Sequence, residues 1–260
     1  MSSLAGRVAI VLGGESGIGL AITEALASAD ATLAIGGVLP EAGAAAVGRI
    51  GHAATFHHVD VRDASQVEAM VAAVVAAHGR LDILVYSVGI TDGFSSLLET
   101  TDDLWDAVLD INLRGCFVAC RAGLRVMERQ GWGRVVNVAS IAALRPSSNG
   151  VSYVAAKSGM VGMTQQVAVT YAHTGITVNA ICPGVIRTDI RANSQRILGP
   201  SAPDMARGVG SSPEGYKRFV PSGRRGEPHE VAALVRYLVG DEAGYVTGQA
   251  FAIDGGWSAT

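Results

Sequence analysis

Hydrophobic residues recur with two different periods along the chain. Short, β-rich apolar runs fall near residues 7–12, 31–35, 54–60, 81–86, 133–139, 176–182 and 249–253. Helical patterns fill most of the intervals; after the first run, Ile18, Ile22, Ala25 and Leu26 return at the spacing of one helix face. Strands alternating with helices predict an α/β fold, a single doubly wound parallel sheet with helices on both faces, in one domain over 1–260. Ligands of such sheets bind beyond the carboxyl ends of the strands. Gly13, Asp60, Gly89, Ser140 and Pro183 all fall at or just after such ends, so residues far apart in sequence can line one crevice.

The segment 189–225 breaks the pattern, with Pro200, Pro203, Pro213 and Pro221 among glycines and serines. So long and interrupted a stretch inside a compact domain predicts a functional lid, the alternative being a variable surface loop. Arg191 and Arg196 would face an anionic substrate from it, or else serve as solvated surface charge. Leu144, Arg145, Asn149 and Val151 are expected to shape the pocket with it.

Composition narrows the functional classes. The chain is 49% hydrophobic and 17% charged, which suits extensive burial, and its net charge of −3 gives no electrostatic case for nucleic acid or an anionic membrane. No apolar run approaches the ~20 residues of a membrane span. The first strand begins almost at the amino terminus, so no secretory or transit signal is expected and a cytoplasmic location is the default. Three cysteines fit a reducing compartment. Cys116 and Cys120 lack a further cysteine or histidine to complete a ligand set, and His57 and His58 should point to opposite faces of a strand, so no metal site is expected.

Two motifs carry chemistry. The first run stops at Gly13-Gly14-Glu15-Ser16-Gly17-Ile18-Gly19, a strand–turn–helix context in which backbone N–H groups and a helix end can receive a pyrophosphate. The second, Tyr153-Val154-Ala155-Ala156-Lys157, puts a phenol and an ammonium at i and i+4, on one helix face, thirteen residues beyond Ser140. A cation about 4 Å from the phenol contributes roughly 4 kcal/mol at an effective dielectric of about 20, enough to lower the phenol's pKa from ~10 by about 3. Tyr153 would then act as a general acid or base.

These motifs, with Asp60-Val61, Asn112 in Asp110-Ile111-Asn112-Leu113-Arg114-Gly115, Pro183-Gly184 followed by Thr188, and Asp254-Gly255-Gly256, keep their order over nearly the whole chain. The sequence resembles a short-chain dehydrogenase/reductase. The resemblance implies hydride transfer between a nicotinamide cofactor and a secondary alcohol or ketone. In it Ser140 holds the reacting oxygen, Tyr153 exchanges its proton, Lys157 lowers the phenol pKa and holds the nicotinamide ribose, and Asn112 supports a water leading to solvent. Cofactor contacts are implied for Gly13, Glu15, Ser16, Gly17, Ile18, Gly19, Gly37, Asp60, Val61, Ser87, Gly89, Tyr153, Lys157, Pro183, Gly184, Ile186 and Thr188. A 3-oxoacyl thioester reductase and a non-catalytic nucleotide sensor or partner-binding module are the alternatives.

Two departures from the family pattern stand out: Tyr86-Ser87-Val88-Gly89 replaces Asn-Asn-Ala-Gly, and Leu12 replaces the usual threonine. Both are expected where the first and fourth strands meet, with an apolar or aromatic contact in place of a polar one. The second strand ends in Ile35-Gly36-Gly37-Val38-Leu39, without the acid that marks NAD or the arginine that marks NADP. Glu15, if aimed at the adenosine ribose, would repel an extra phosphate, and Glu41 lies close downstream; NAD is favoured over NADP. Helices near 112–130 and 153–171 are apolar on more than one side, through Ile111, Phe117, Val118, Val154, Met160, Met163, Val167 and Val169. The resemblance implies a homotetramer, a dimer being the next choice.

Overall fold

The computed structural model describes residues 3–51, 53–146 and 149–260. Seven strands, β1 (Val8–Leu12), β2 (Thr32–Gly37), β3 (Ala54–His58), β4 (Ile83–Tyr86), β5 (Gly133–Val138), β6 (Ile176–Pro183) and β7 (Ala250–Ile253), form one sheet in the order 3-2-1-4-5-6-7. Every pairing is parallel. The predicted runs are recovered, with ends moved by one or two residues.

Alternation along the strands builds a core on each face. Val8, Ile10 and Leu12 of β1 turn to one side. There they meet α3 (Ala64–His78), α4 (Asp102–Leu109), α5 (Gly115–Gln130) and α6 (Val151–Tyr171). Ala9 and Val11 turn to the other side, against α1 (Gly17–Ala27), α2 (Pro40–Ile50) and α9 (Pro228–Leu238). Burying both faces is what a parallel sheet requires.

Local signals set the helix ends. Asp63 accepts from Ser65 N at 2.9 Å to cap α3, and Thr101 accepts from Leu104 N at 3.2 Å to cap α4. Between α4 and α5 the chain makes a π-helical turn, Asp110–Arg114, instead of running on as regular helix. The segment 189–225 is more ordered than its prolines suggest: it contains α7 (Ile190–Leu198) and α8 (Pro213–Phe219). Proline starts α8 at a position where its missing N–H costs nothing, so it opens a helix instead of breaking one. No helix among the described residues is long and apolar enough to cross a membrane.

Candidate active site

A cleft of about 970 Å³ runs across the carboxyl ends of the strands. The loop between β1 and α1 forms its floor at one end. Gly19 has no alternative there, since a Cβ on it would stand 1.9 Å from the Gly13 carbonyl oxygen. This contact folds the loop tightly and turns the start of α1 toward the cleft, the arrangement that suits an anionic diphosphate. Glu15 is almost completely buried beside Gly37, where a Cβ would stand 2.0 Å from Glu15 Oε1. Its Oε2 has no hydrogen-bond partner among the described residues, and burial raises the carboxyl pKa. An unpartnered carboxylate oxygen at this end of the cleft and a close-packed glycine loop both fit a dinucleotide.

The other end holds the catalytic candidates. Ser140 follows β5, and Tyr153 and Lys157 project from the first two turns of α6; all three are buried and line the cleft. Lys157 Nζ donates to the Val138 carbonyl at 2.9 Å and lies 5.7 Å from the centre of the Tyr153 ring. Burial pushes the Tyr153 phenol up to about 12; a hydrogen bond with Ser140 pulls it down, and Asp92 and Cys182 push it up. Burial also brings the Lys157 ammonium down to about 8. The sequence-based expectation of a lowered phenol pKa is therefore reversed in the protein's own field. Desolvation outweighs an ammonium that stands off the ring and is engaged by a carbonyl.

Asn112 lies deeper and does not line the cleft. Its Oδ1 accepts from Ile90 N and its Nδ2 donates to Ile90 O, both at 2.9 Å. It still approaches Lys157: a Cβ on Gly89 would be 3.3 Å from both Asn112 Oδ1 and Lys157 Nζ. The cleft lining takes in all the other catalytic and cofactor-contact residues named from the sequence, from Gly13 to Thr188.

A family model described as enoyl-(acyl carrier protein) reductase matches residues 13–258. Levodione reductase of Leifsonia aquatica is 38% identical, over 97% of this chain and 94% of that protein. The chain belongs to the short-chain dehydrogenase/reductase family. It is 36% identical to 3beta-hydroxysteroid dehydrogenase 2 of Eggerthella lenta, over 98% of this chain and 96% of that protein. It is 34% identical to a 3-oxoacyl-[acyl-carrier-protein] reductase of Synechocystis, with 98% of each covered. The crystal structure of levodione reductase superposes with a TM-score of 0.88 at 35% identity, covering 98% of this chain and 99% of that one. The chain is accordingly an oxidoreductase of the hydroxyl/keto class that the family's dehydrogenases and reductases share.

Within this short-chain dehydrogenase/reductase, the two departures do meet. Leu12 pairs with Tyr86 across β1 and β4, and its side chain packs against Gly36 of β2. The contact is not purely apolar, however: the fully buried Tyr86 hydroxyl donates to the Ile111 carbonyl in the π-helical turn. A phenol reaches an acceptor there that a shorter amide side chain would not. Of the expected pocket residues only Asn149 lines the cleft; Leu144, Arg145 and Val151 do not. Arg145 instead reaches Ser258 O at 3.2 Å, drawn toward the carboxyl terminus. Phe94, Val185, Val209 and Trp257 line the cleft in their place.

Cys116 and Cys120 stack over Asn137, each Sγ within 3.5 Å of its Oδ1. No metal-binding cluster occurs among the described residues. One functional candidate escaped the sequence reading altogether. Asp92 is fully buried, and its carboxylate accepts from Ser152 Oγ at 2.9 Å and Tyr153 N at 3.0 Å. Its place in an unremarkable loop, sixty-one residues before Tyr153, gave no signal.

Proposed function

We propose that this chain transfers a hydride between a nicotinamide cofactor and a secondary alcohol or ketone, with Tyr153 as general acid/base. The observation that carries the reading is the burial of Ser140, Tyr153 and Lys157 together in the cleft that the glycine loop also lines. The bound nicotinamide would supply the hydride acceptor or donor. Ser140 holds the reacting oxygen through its hydroxyl, and Tyr153 Oη gives or takes that oxygen's proton. Lys157, tethered to Val138, presents its charge to the phenol and to the ribose, with Asn112 supporting its water link to solvent. Pro183, Gly184, Ile186 and Thr188 hold the nicotinamide end. A Tyr153→Phe variant should lose about 10²- to 10⁴-fold in turnover, while reduced cofactor still binds by fluorescence titration. Undiminished turnover would refute the assignment.

NAD is the favoured form. Glu15 supplies from the glycine loop the carboxylate that β2 does not, and its buried, unpartnered Oε2 suits the diol of an adenosine ribose. A phosphate in that place would meet a carboxylate. Glu15→Ser should narrow or reverse the preference for NADH over NADPH in direct binding titrations; an unchanged ratio would refute it.

The segment 189–225 acts as the substrate lid, as Arg191, Val209 and Arg225 lining the cleft suggest. Phe117 of α5 and Val169 of α6 are 47% and 77% exposed, which supports association through these helices as a homotetramer. We place the enzyme in the cytoplasm, as a single domain over 1–260. A 3-oxoacyl thioester is the second substrate reading, supported by the Synechocystis relative.

A further inference from the structure

We propose that the substrate carries a carboxylate, seated between the guanidinium groups of Arg191 and Arg225 on the lid side of the cleft. The proposal rests on the alcohol/ketone reading above and names the class of molecule that satisfies it: an oxo acid or its hydroxy acid.

The charge pattern points there first. Residues 190–226 include seven Lys or Arg and two Asp or Glu, in a chain whose net charge is −3. Several of these cations have other business. Arg207 pairs with Glu99 at 2.9 Å and Arg224 with Glu230 at 2.7 Å. Arg196 lines the cleft as well, without an ion pair, but it is exposed and donates to Asn193 Oδ1 at 3.1 Å. Arg191 and Arg225 differ: both are half-buried, both line the cleft with Ser140 and Tyr153, and neither forms an ion pair among the described residues.

Their protein partners are neutral. Arg191 Nη1 donates to the carbonyls of Met205 and Arg207, and Arg225 Nη2 donates to the Gly210 carbonyl at 2.7 Å. The two groups converge, because a Cβ on Gly210 would stand 3.5 Å from Arg191 Nη2. Aromatic rings hold them in place, Phe94 at 5.7 Å from Arg191 and Tyr216 at 5.3 Å from Arg225. Arg225 Nε is buried with no hydrogen-bond partner among the described residues. Burial, and then the charge of Arg225, hold Arg191 below the usual guanidinium range; Asp204 opposes this from a distance.

Two cations partly withdrawn from water and set beside each other, with an ion pair to neither, are costly to keep. Lid carbonyls recover only part of that cost, since they carry no net charge. A carboxylate would balance both and accept forked hydrogen bonds of the kind a guanidinium is shaped to give. The competing account is that the two arginines only staple the lid carbonyls together.

A panel of linear and cyclic oxo acids, each matched with its neutral methyl amide, separates the accounts. The wild-type enzyme should favour the acid of the best pair by about 10- to 100-fold in kcat/KM, chiefly through KM. That advantage should collapse in Arg225→Gln and persist in part in Arg225→Lys, with Arg191→Gln as the second variant should the first fail to fold. Calorimetric titration of the oxo acid onto the cofactor-loaded enzyme reads the seat independently of turnover. Equal or better kinetics for the amides overturns the carboxylate seat while leaving the alcohol/ketone reading intact. So does equal loss for acid and amide in the variants with a lowered Tm. Absence of both turnover and binding across the panel overturns the carboxylate seat, and persistent inactivity toward neutral ketones as well would overturn the underlying reading.

Discussion

Replacing Asp92 by asparagine tests whether a remote carboxylate positions the helix that carries Tyr153 and Lys157. Gly150, the residue before α6, brings no side chain to cap it, and Asp92 fills that role from the loop after β4. Its two oxygens accept from Ser152 Oγ at 2.9 Å, Tyr153 N at 3.0 Å and Phe94 N at 3.2 Å. A hydrogen bond to a charged group contributes ~1.5–3 kcal/mol, and a negative charge at a helix N-terminus adds a fraction to that. Asparagine retains one accepting oxygen and turns an amide donor toward another donor. The expected loss is therefore about 2–4 kcal/mol, or a Tm lower by about 4–16 °C at ~2–4 °C per kcal/mol for a chain of this size. Function should change as well, because burial holds the Tyr153 pKa up against the Ser140 hydrogen bond, and Asp92 and Cys182 add to it. The pH profile of alcohol oxidation should move to lower pH in the variant. Thermal melts and that profile are the assays. A Tm within about 1 °C of wild type, with an unmoved profile, would refute the reasoning.

Tyr86→Phe should cost about 1–3 kcal/mol in chemical denaturation, by leaving the buried Ile111 carbonyl without its donor; an unchanged midpoint would count against the bond. Burial raises the Glu15 pKa, so its contribution to stability is full below the unfolded value and is lost as pH rises through the folded one. Glu15→Gln should gain on wild type in denaturation midpoint from pH 4 to pH 7, and parallel curves would contradict this. Lys157 has the opposite dependence. Burial brings its ammonium down to about 8 from the ordinary 10.5, so stability should rise with pH between these values and Lys157→Met should flatten the rise.

The sequence was most informative where one residue type has one structural use. Seven apolar runs became seven parallel strands, and the Gly13–Gly19 loop and the Tyr153/Lys157 pair arrived in one cleft because strand ends share one edge of the sheet. Direction of side chains was not legible. Nothing in Leu144-Arg145 says that the chain turns them away from the cleft, and nothing in Asp92 announces a cap for a helix that starts far downstream. The Tyr153 pKa was misjudged for a related reason: i+4 spacing fixes a shared face, whereas the balance of charge against desolvation depends on burial by distant elements. The helix at Pro213–Phe219 was hidden because proline reads as a breaker unless its place in the first turn is known.

A π turn holds one residue more than the α-helical path around it needs, so α4, the widened turn at Asp110–Arg114 and α5 form one continuous rod that absorbs the extra residue locally. Taking one residue out of the turn would let regular helix run through without spinning α5 about its axis, and the apolar seam of α5 should still face the sheet. What the surplus residue provides is local: it sets the Ile111 carbonyl where the Tyr86 hydroxyl reaches it and Asn112 where it pairs with Ile90. A version shortened by one residue should therefore keep the rod and lose those two attachments.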